Sequence, residues 1–401
     1  MLAFGFIHAF CSAPGQTFCI ALFVASFATT FQTSAAELGS VYLIATLAAA
    51  IALSQIGALI DRVGLRAYCA AASLLLASAC LLTAAAPNLT VLAIGLFALR
   101  LAGQGLMMHI QATATVRAFT DDRGTALGLT GLGIPLAAAV FPAISVSLIA
   151  VMGWRWAYAA IGIGVFMLLL PLLIWFIPAA ADIRRIRESG KARRDGVDPH
   201  IERFAVSRTL LSSSYFWAAV PMLLLVPFVS TALVFQLTVI AADRSWTPAW
   251  VAGSFPVLAL AHVASLFASG QIIDAYSARM VAILQAIPIT VSVLLLATFE
   301  QPIVLMVAMF GLGLSGGAAQ TAFSAVWAEI YGTRHFGAIR SVVMSLMVVA
   351  SAVAPLVLGL ALSVAANASA ALMSLAGLAV ALQLPLLGVE AMRGYARRRD
   401  G

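Results

Sequence analysis

Few side chains in the apolar stretches of this 401-residue sequence could do chemistry. Arg100 lies near the middle of a long apolar run, where a lone arginine costs about 2.5–3.5 kcal/mol in a membrane. A bound anion would offset that cost, and so would carbonyl groups at a helix end or in a loop, so a substrate-binding role and a structural role both stay open. His262 is also central in its run, and it could bind substrate, carry a proton or be an ordinary buried histidine.

Four apolar runs each contain a row of residues, several of them polar, at helical spacing, so each row lies on one face of a helix. The rows are Arg100, Gln104, Met107, Gln111 and Thr115; His8, Ser12, Gln16 and Cys19; Thr231, Phe235 and Thr238; and Gly313, Gly317, Gln320, Ser324 and Trp327. His109 falls half a turn away from Arg100 and is excluded from its row. The candidate substrate-binding residues are Arg100, Gln104, Gln16, Gln320, Ser324, Thr231 and His262.

The acidic residues narrow the substrate class. Glu37, Asp243, Glu300, Glu329 and Glu390 all lie near the ends of apolar runs, and none lies at mid-run. A site with one arginine and one or two histidines favours an anion, so we expect a small organic carboxylate. Multidrug efflux by proton antiport is one alternative, and a transporter-like receptor without flux is another. The sequence has no HxxxH, HExxH or CxxC spacing, so we expect no enzyme, metal or other cofactor.

Membrane helices must position these residues. The sequence is 63% hydrophobic and 9% charged, which is foreign to soluble domains and typical of chains with many apolar 20-residue runs. We therefore predict an all-α integral membrane protein with twelve transmembrane helices in a lipid bilayer. The predicted spans are 2–30, 36–60, 67–86, 89–118, 125–152, 157–178, 214–242, 248–273, 280–299, 303–331, 337–366 and 368–392.

The two halves of the sequence repeat each other at an offset of 213 residues. The loop GALIDRVGLR contains Gly57, Asp61, Arg62, Gly64 and Arg66, and its counterpart keeps Gly270, Asp274 and Arg279 at the same spacing. Each half contains six predicted helices, an even number, so both copies share one orientation and are related by a pseudo-twofold axis along the membrane normal. We predict a six-helix bundle over 1–180, a linker over 181–211 and a second six-helix bundle over 212–401.

Basic residues predict the orientation of the chain. Of the 22 lysines and arginines, 19 fall on one face of the predicted topology, two (Arg155 and Arg244) fall on the other, and Arg100 lies within a span. This bias predicts a multi-pass inner (plasma) membrane protein with both termini and the linker in the cytoplasm. The charged linker is interpreted as a solvated surface near anionic lipid, nucleic acid is not an expected partner, and the chain is expected to be a monomer.

Four motifs make the chain resemble the major facilitator superfamily. GALIDRVGLR resembles that family's loop motif between helices two and three, and RLAGQG at 100–105 resembles its helix-four motif. DRGTALG at 122–128 and HFGAIRS at 335–341 resemble its usual starts of helices five and eleven. There are two departures: GQIIDAYSAR lacks the Asp-Arg pair and the second glycine of the loop motif, and GLGIPLAAA lacks the Gly-Pro pair of the antiporter motif.

The resemblance implies a secondary active transporter that works by alternating access, with helices one, four, seven and ten around a central cavity. It further implies a gate formed by Gly57, Asp61, Arg62, Gly64, Arg66, Asp274, Arg279 and Glu329. We expect Asp61 to cap helix eleven near Gly337 and Asp274 to cap helix five near Gly124. Arg66 is expected to meet Asp121 or Asp122, and Arg279 to meet Glu329. Independently, Gly128-x-x-Gly131 and Gly313-x-x-Gly316 predict close helix packing.

Overall fold

Every regular element that the structure describes is helical. The computed structural model describes residues 1–63, 65–119, 123–175, 212–331 and 336–388. Within these ranges the helices follow the apolar runs, because a backbone in hydrocarbon must satisfy its own N–H and C=O groups. The predicted all-α membrane class is therefore confirmed. The predicted linker at 181–211 lies outside the described residues, and the domain boundaries stay a prediction.

The described residues group into two compact units, and each unit is considered by itself. The first unit comprises Met1–Asp195, Val234–Ala242 and Thr247–Pro256, and the second comprises Gly196–Leu233, Asp243–Trp246 and Val257–Gly401. Two segments of the second sequence half thus belong to the first unit.

The first sequence half contains, in chain order, α1 (Leu2–Cys11), α2 (Thr17–Ile20), α3 (Val24–Phe31), α4 (Ala35–Ile56), α5 (Ile60–Val63), α6 (Leu65–Ala85), α7 (Leu89–Leu99), α8 (Met108–Ala118), α9 (Arg123–Gly131) and α10 (Gly133–Trp175). Tight 3-10 turns lie at Ala13–Gly15, Ala21–Phe23 and Gly57–Leu59, and a π-helical segment at Arg100–Met107 joins α7 to α8. The second half contains α11 (Ser214–Asp243), α12 (Pro248–Ala275), α13 (Ala278–Leu284), α14 (Ala286–Thr298), α15 (Ile303–Tyr331), α16 (Phe336–Val364) and α17 (Ala368–Ala381).

Ten helical segments of the described chain are long and apolar enough to cross a membrane. The predicted fifth and sixth spans run together in α10, where Gly153 interrupts the helical path with φ 74° and ψ 163°. Glycine allows this positive φ without a steric penalty. The first predicted span is divided into two shorter apolar helices, Leu2–Cys11 and Thr17–Phe31. The count of twelve spans stays a prediction.

The predicted first span over 2–30 is not one continuous helix. The helix tightens into a 3-10 turn at Ala13–Gly15, and Gln16 then adopts an extended conformation with φ −85° and ψ 149°. Pro14 has no N–H to donate to the preceding turn, which weakens a helix at this point. The break leaves carbonyl groups of this turn available to other side chains, and two such contacts are described below.

Glycines bring the helices of the first unit into backbone contact. A Cβ atom added to Gly103 would lie 2.7 Å from the Cα atom of Gly15, and one added to Gly15 would overlap the carbonyl oxygen of Leu99. A Cβ atom added to Gly133 would likewise overlap the carbonyl oxygen of Phe6. The broken first span is therefore packed against the π-helical segment on one side and α10 on another.

The two glycine pairs predicted to pack closely have different outcomes. Gly313 and Gly316 do pack closely, since a Cβ atom at Gly313 would overlap α12 backbone and one at Gly316 would lie 2.8 Å from Nδ1 of His262. For Gly128 and Gly131 the prediction is wrong, because no described atom lies within 4 Å of an added Cβ. Glycine spacing alone does not say which helix face meets a neighbour.

The two arginines assigned to the outer face by the predicted topology close the ends of two helices. Arg155 donates to the carbonyl groups of Ala84 and Ala86 at the end of α6, at 2.9 and 2.7 Å. Arg244 donates to the carbonyl group of Phe299 at the end of α14, at 3.1 Å. Each guanidinium also lies over a neighbouring tryptophan ring. A cation at a helix carboxyl end is stabilised by the helix dipole, so both arginines have a structural role.

Candidate functional site

Arg100 is held in the first unit by carbonyl, hydroxyl and aromatic groups. Its side chain is buried, with 2% of its surface exposed. Nη1 donates to the carbonyl oxygen of Gly15 at 3.1 Å and to the hydroxyl of Thr17 at the longer distance of 3.5 Å. The guanidinium carbon lies 5.0 Å from the centre of the Tyr42 ring, which is within cation–π range.

The break in the first span creates these contacts. The carbonyl group of Gly15 accepts from Arg100, and that of Pro14 accepts from the hydroxyl of Tyr158 at 3.2 Å. In an unbroken helix both carbonyls would bond to amides one turn later and would offer less to side chains. Arg100 therefore donates to a carbonyl group at a helix break, as a structural role for this arginine predicts.

The positive charge of Arg100 nevertheless has no counter-charge in the described part of the chain. No carboxylate of the described residues lies within ion-pair distance of it, and its Nε atom is buried there without a hydrogen-bond partner. A carbonyl oxygen and an aromatic face stabilise a cation without neutralising it. The structural contacts thus use Nη1, and the charge and Nε remain able to interact with an anionic group.

The two glutamines of the first unit that were predicted to bind substrate differ in exposure. Gln16 is nearly buried, and its Nε2 donates to the hydroxyl of Ser12 at 3.0 Å. Ser12 in turn donates to the carbonyl of Ala9 at 2.6 Å. Gln104, one position in the same predicted row as Arg100, has an exposed side chain. Gln16 and Gln104 thus belong to the same unit as Arg100, and Gln104 is the more accessible of the two.

The rest of the predicted α8 row serves packing between helices. Gln111 donates through Nε2 to the hydroxyl of Thr130 on α9 at 2.6 Å, and Thr115 donates to the backbone carbonyl of Gln111 at 2.7 Å. His8 on α1 is fully buried, and its Nδ1 lies 2.8 Å from the carbonyl oxygen of Phe4. Gln111 and Thr115 thus have protein partners and need no substrate to satisfy them, whereas Nε2 of His8 is buried without a hydrogen-bond partner in the described part of the chain.

In the second unit the structure brings together two residues that the sequence analysis selected separately. Nε2 of His262 on α12 lies 3.0 Å from Oε1 of Gln320 on α15. His262 is partly buried and Gln320 is exposed. A second hydrogen bond joins the same two helices, from Ser265 on α12 to the carbonyl of Leu314 on α15 at 2.6 Å. Close packing at Gly316 is what allows the imidazole to reach α15.

The remaining candidates of the second sequence half, Thr231 and Ser324, lie on different helices. Thr231 on α11 shares a hydrogen bond of 2.9 Å with Ser351 on α16. Further along α11, Thr238 belongs to the first unit, where it donates to the carbonyl of Ala21 at 3.0 Å. Ser324 lies on α15, but its side chain is outside the described residues.

The second loop motif forms an expected ion pair. Nε of Arg279 lies 3.1 Å from Oε1 of Glu329, as the sequence analysis predicted. The other carboxylate oxygen of Glu329 accepts from the backbone N–H of Ala278 at 2.8 Å, at the start of α13. A carboxylate at a helix amino end satisfies an unpaired N–H and interacts favourably with the helix dipole. Asp274 is exposed.

A sequence model described as Major Facilitator Superfamily matches residues 5–355. The chain belongs to the major facilitator superfamily. No curated protein sequence matches it.

Solved structures of other transporters share its fold. A bacterial homologue of the human lysosomal transporter Spinster, in an inward-facing and occupied conformation, is 14% identical, with 99% of this chain and 96% of that chain covered and a TM-score of 0.71. The nucleoside transporter NupG is 13% identical, with 96% of this chain and 99% of that chain covered and a TM-score of 0.76. At these identities the likeness concerns the fold alone.

In this major facilitator, the first loop motif is fastened to its own unit by two side chains. Nε2 of His109 on α8 lies 3.1 Å from the carbonyl oxygen of Gly57, and the hydroxyl of Tyr68 donates to the carbonyl of Ile56 at 3.4 Å. Arg62 and Arg66 are exposed. His109, excluded from the row of Arg100, therefore contacts the loop motif instead.

Several residues of the expected gate contacts lie outside the described ranges. The side chain of Asp61, the residue Gly64 and the expected partners Asp121 and Asp122 lie outside the described residues. The contacts of Asp61 with the start of helix eleven, of Asp274 with the start of helix five and of Arg66 with an aspartate stay predictions.

Sequence reasoning missed Tyr42 in this major facilitator. Tyr42 is fully buried on α4 and shares a hydrogen bond of 2.7 Å with the hydroxyl of Thr17. Its ring contacts Arg100 on one part of its surface and Phe235, with ring centres 4.5 Å apart, on another. A buried tyrosine hydroxyl needs a hydrogen-bond partner, so a tyrosine inside an apolar run is a sequence signal that could have identified Tyr42.

Proposed function

We propose that this major facilitator is a secondary active transporter that moves a small organic anion, of the carboxylate class, across the inner membrane by alternating access. The observation that carries this proposal is the buried guanidinium of Arg100, which has no counter-charge among the described residues. A buried charge without an opposite charge is unfavourable in a low-dielectric interior. A substrate carboxylate would neutralise it and could accept a hydrogen bond from Nε, so binding energy would come from charge as well as from geometry.

Residues of the same unit support a polar substrate. Gln104 is exposed, so its amide is available to the parts of a substrate that are not carboxylate. Gln16 lies two residues past Pro14 at the break of the first span, and its Nε2 is bonded to Ser12, so we assign it the lesser share of these contacts. Amide groups can donate and accept hydrogen bonds. We assign the charge of the substrate to Arg100 and its remaining polar atoms to these glutamines.

In the second unit, His262 is the proposed carrier of a coupled proton. Its Nε2 is 3.0 Å from the carbonyl oxygen of the Gln320 side chain, which would stabilise the imidazolium form as a hydrogen-bond acceptor. Histidine is the side chain whose ordinary pKa lies nearest to physiological pH. Thr231 and Ser324 stay in the proposal as polar groups of the substrate path, and the transporter is proposed to act as a monomer.

We also propose that the loop motifs are part of the cytoplasmic gate. The Arg279–Glu329 ion pair fixes the start of α13, and His109 fixes the start of the first loop motif at Gly57. Such fixed loop ends could form contacts in one state of the transporter and release them in another. In this proposal the motif biases the population of states and does not itself bind substrate.

A thermal-shift screen tests the substrate class. Purified protein is heated with a panel of monocarboxylates, dicarboxylates, neutral nucleosides, sugars and lipophilic cations. A ligand present at 100 times its dissociation constant stabilises the folded state by about 2.7 kcal/mol and so raises the melting temperature. We expect only the carboxylates of the panel to have this effect, because they alone can neutralise Arg100. Stabilisation by lipophilic cations alone would favour the multidrug efflux alternative, and stabilisation by carboxylates without uptake into proteoliposomes would favour the receptor alternative.

The proposed orientation has its own test. Single cysteines at Asn88 and at Gly196, in a background in which the four native cysteines are replaced, are labelled on intact cells with an impermeant thiol reagent. We expect Asn88→Cys to react from outside and Gly196→Cys to react only after the cells are opened, because basic loops stay in the cytoplasm. Labelling of Gly196→Cys on intact cells would overturn the orientation.

A further inference from the structure

Three contacts hold one segment of the second sequence half inside the first unit. This segment, Val234–Ala242, is called the α11 segment. Gln236 donates through Nε2 to the carbonyl of Ala35 at 3.1 Å, Thr238 donates to the carbonyl of Ala21 at 3.0 Å, and the ring of Phe235 packs on Tyr42. Phe235 and Tyr42 are both buried, with at most 1% of either side chain exposed.

Tyr42 is the residue that connects this segment to Arg100. Its ring lies 5.0 Å from the guanidinium carbon and 4.5 Å from the ring centre of Phe235. Its hydroxyl shares a hydrogen bond with Thr17, which also accepts from Arg100. The position of the Tyr42 ring therefore depends on the guanidinium, and the packing of Phe235 depends on the ring.

We infer that Tyr42 couples the state of Arg100 to the seating of the α11 segment. The inference rests on the proposed function in one respect, because the natural trigger would be an anion bound to Arg100. A carboxylate attracts a guanidinium more strongly than a carbonyl oxygen or an aromatic face does. When the guanidinium turns to an anion, Tyr42 loses its cation contact and Phe235 loses a fixed partner, so the α11 segment is released. Tyr42 is thus a positioning residue and does not itself touch substrate in this inference.

A double-mutant cycle tests the coupling without any substrate. The reporter is Val239→Cys, a partly exposed position of the α11 segment, in a background in which the four native cysteines are alanine. Its labelling rate by a water-soluble maleimide is measured in nanodiscs for the parent, Tyr42→Phe and Tyr42→Leu proteins, each with Arg100 and with Arg100→Gln. Thr90→Cys, an exposed position in α7, is the matched control for general loosening of the protein.

The expected result is non-additive. With Tyr42 present, Arg100→Gln should raise the labelling rate of Val239→Cys roughly tenfold, the size of a desolvated cation–π contact. Tyr42→Leu should raise the rate by itself, and Arg100→Gln should then add less than about twofold. Tyr42→Phe keeps the ring and should behave like the parent. Labelling of Thr90→Cys should stay unchanged in all variants.

Two outcomes would overturn the inference. One is an equal acceleration by Arg100→Gln in the Tyr42→Leu protein and in the parent, since the segment would then respond independently of the ring. The other is equal labelling of the Tyr42→Phe and Tyr42→Leu proteins, which needs no Arg100 variant and so decides the matter even if Arg100→Gln fails to fold. Hydrogen exchange of the amides in Val234–Ala242 provides a second readout. Because no anion is used, failure here leaves the substrate proposal to its own tests.

Discussion

Arg100→Gln should abolish uptake of the anionic substrate into proteoliposomes, and Arg100→Lys should weaken it. Glutamine removes the charge, whereas lysine keeps the charge and loses the planar guanidinium that can bind a carboxylate through two parallel hydrogen bonds. Loss of one charge-assisted partner costs a few kcal/mol, or about a hundredfold in affinity. The measurement is the concentration dependence of uptake by protein that elutes as a monodisperse peak.

Arg155→Gln is the matched control for the structural part of this effect. Arg155 also donates to backbone carbonyls and lies over an aromatic ring, but it closes the end of α6. We expect Arg155→Gln to lower the melting temperature and to leave the affinity for substrate unchanged. Full affinity for an anionic substrate in the Arg100→Gln protein would refute the anion proposal, and loss of affinity in both variants would assign Arg100 a structural role only.

Gly103→Ala should sharply lower the thermal stability of the protein, and Gly15→Ala should do the same. The added Cβ atom at Gly103 would lie 2.7 Å from the Cα atom of Gly15, and at Gly15 it would overlap a carbonyl oxygen. Backbone cannot move aside as a flexible side chain can, so we expect a loss of about 3 kcal/mol or more. The measurement is the melting temperature together with the yield of monodisperse protein.

Gly128→Ala is the control for this pair. It introduces the same methyl group into a helix, but no described atom lies within 4 Å of the new Cβ. Alanine is favoured over glycine inside a helix by roughly 0.5–1 kcal/mol, so the variant should be neutral or slightly stabilised. A Gly103→Ala protein as stable as the Gly128→Ala protein would mean that the first span and the π-helical segment are not in backbone contact.

Local properties of the sequence determined the class of the protein. Apolar runs, helical polar rows and the loop motifs predicted an all-α membrane protein of this superfamily, because hydrocarbon tolerates few charges and requires internally bonded backbone. The Arg279–Glu329 pair was predictable because both residues lie next to helix ends in recognisable motifs.

Only the tertiary structure decided what the selected residues contact. Gly128 and Gly131 have the same spacing as Gly313 and Gly316, yet no described atom lies near the first pair, whereas the second pair meets a neighbouring helix. Packing depends on residues far away in sequence. The free-energy cost of an arginine in a membrane span marked Arg100 as important from the sequence, but the sequence did not predict its partners. They exist because the first span breaks before Gln16 and releases a carbonyl, and because α4 brings Tyr42 beneath the guanidinium.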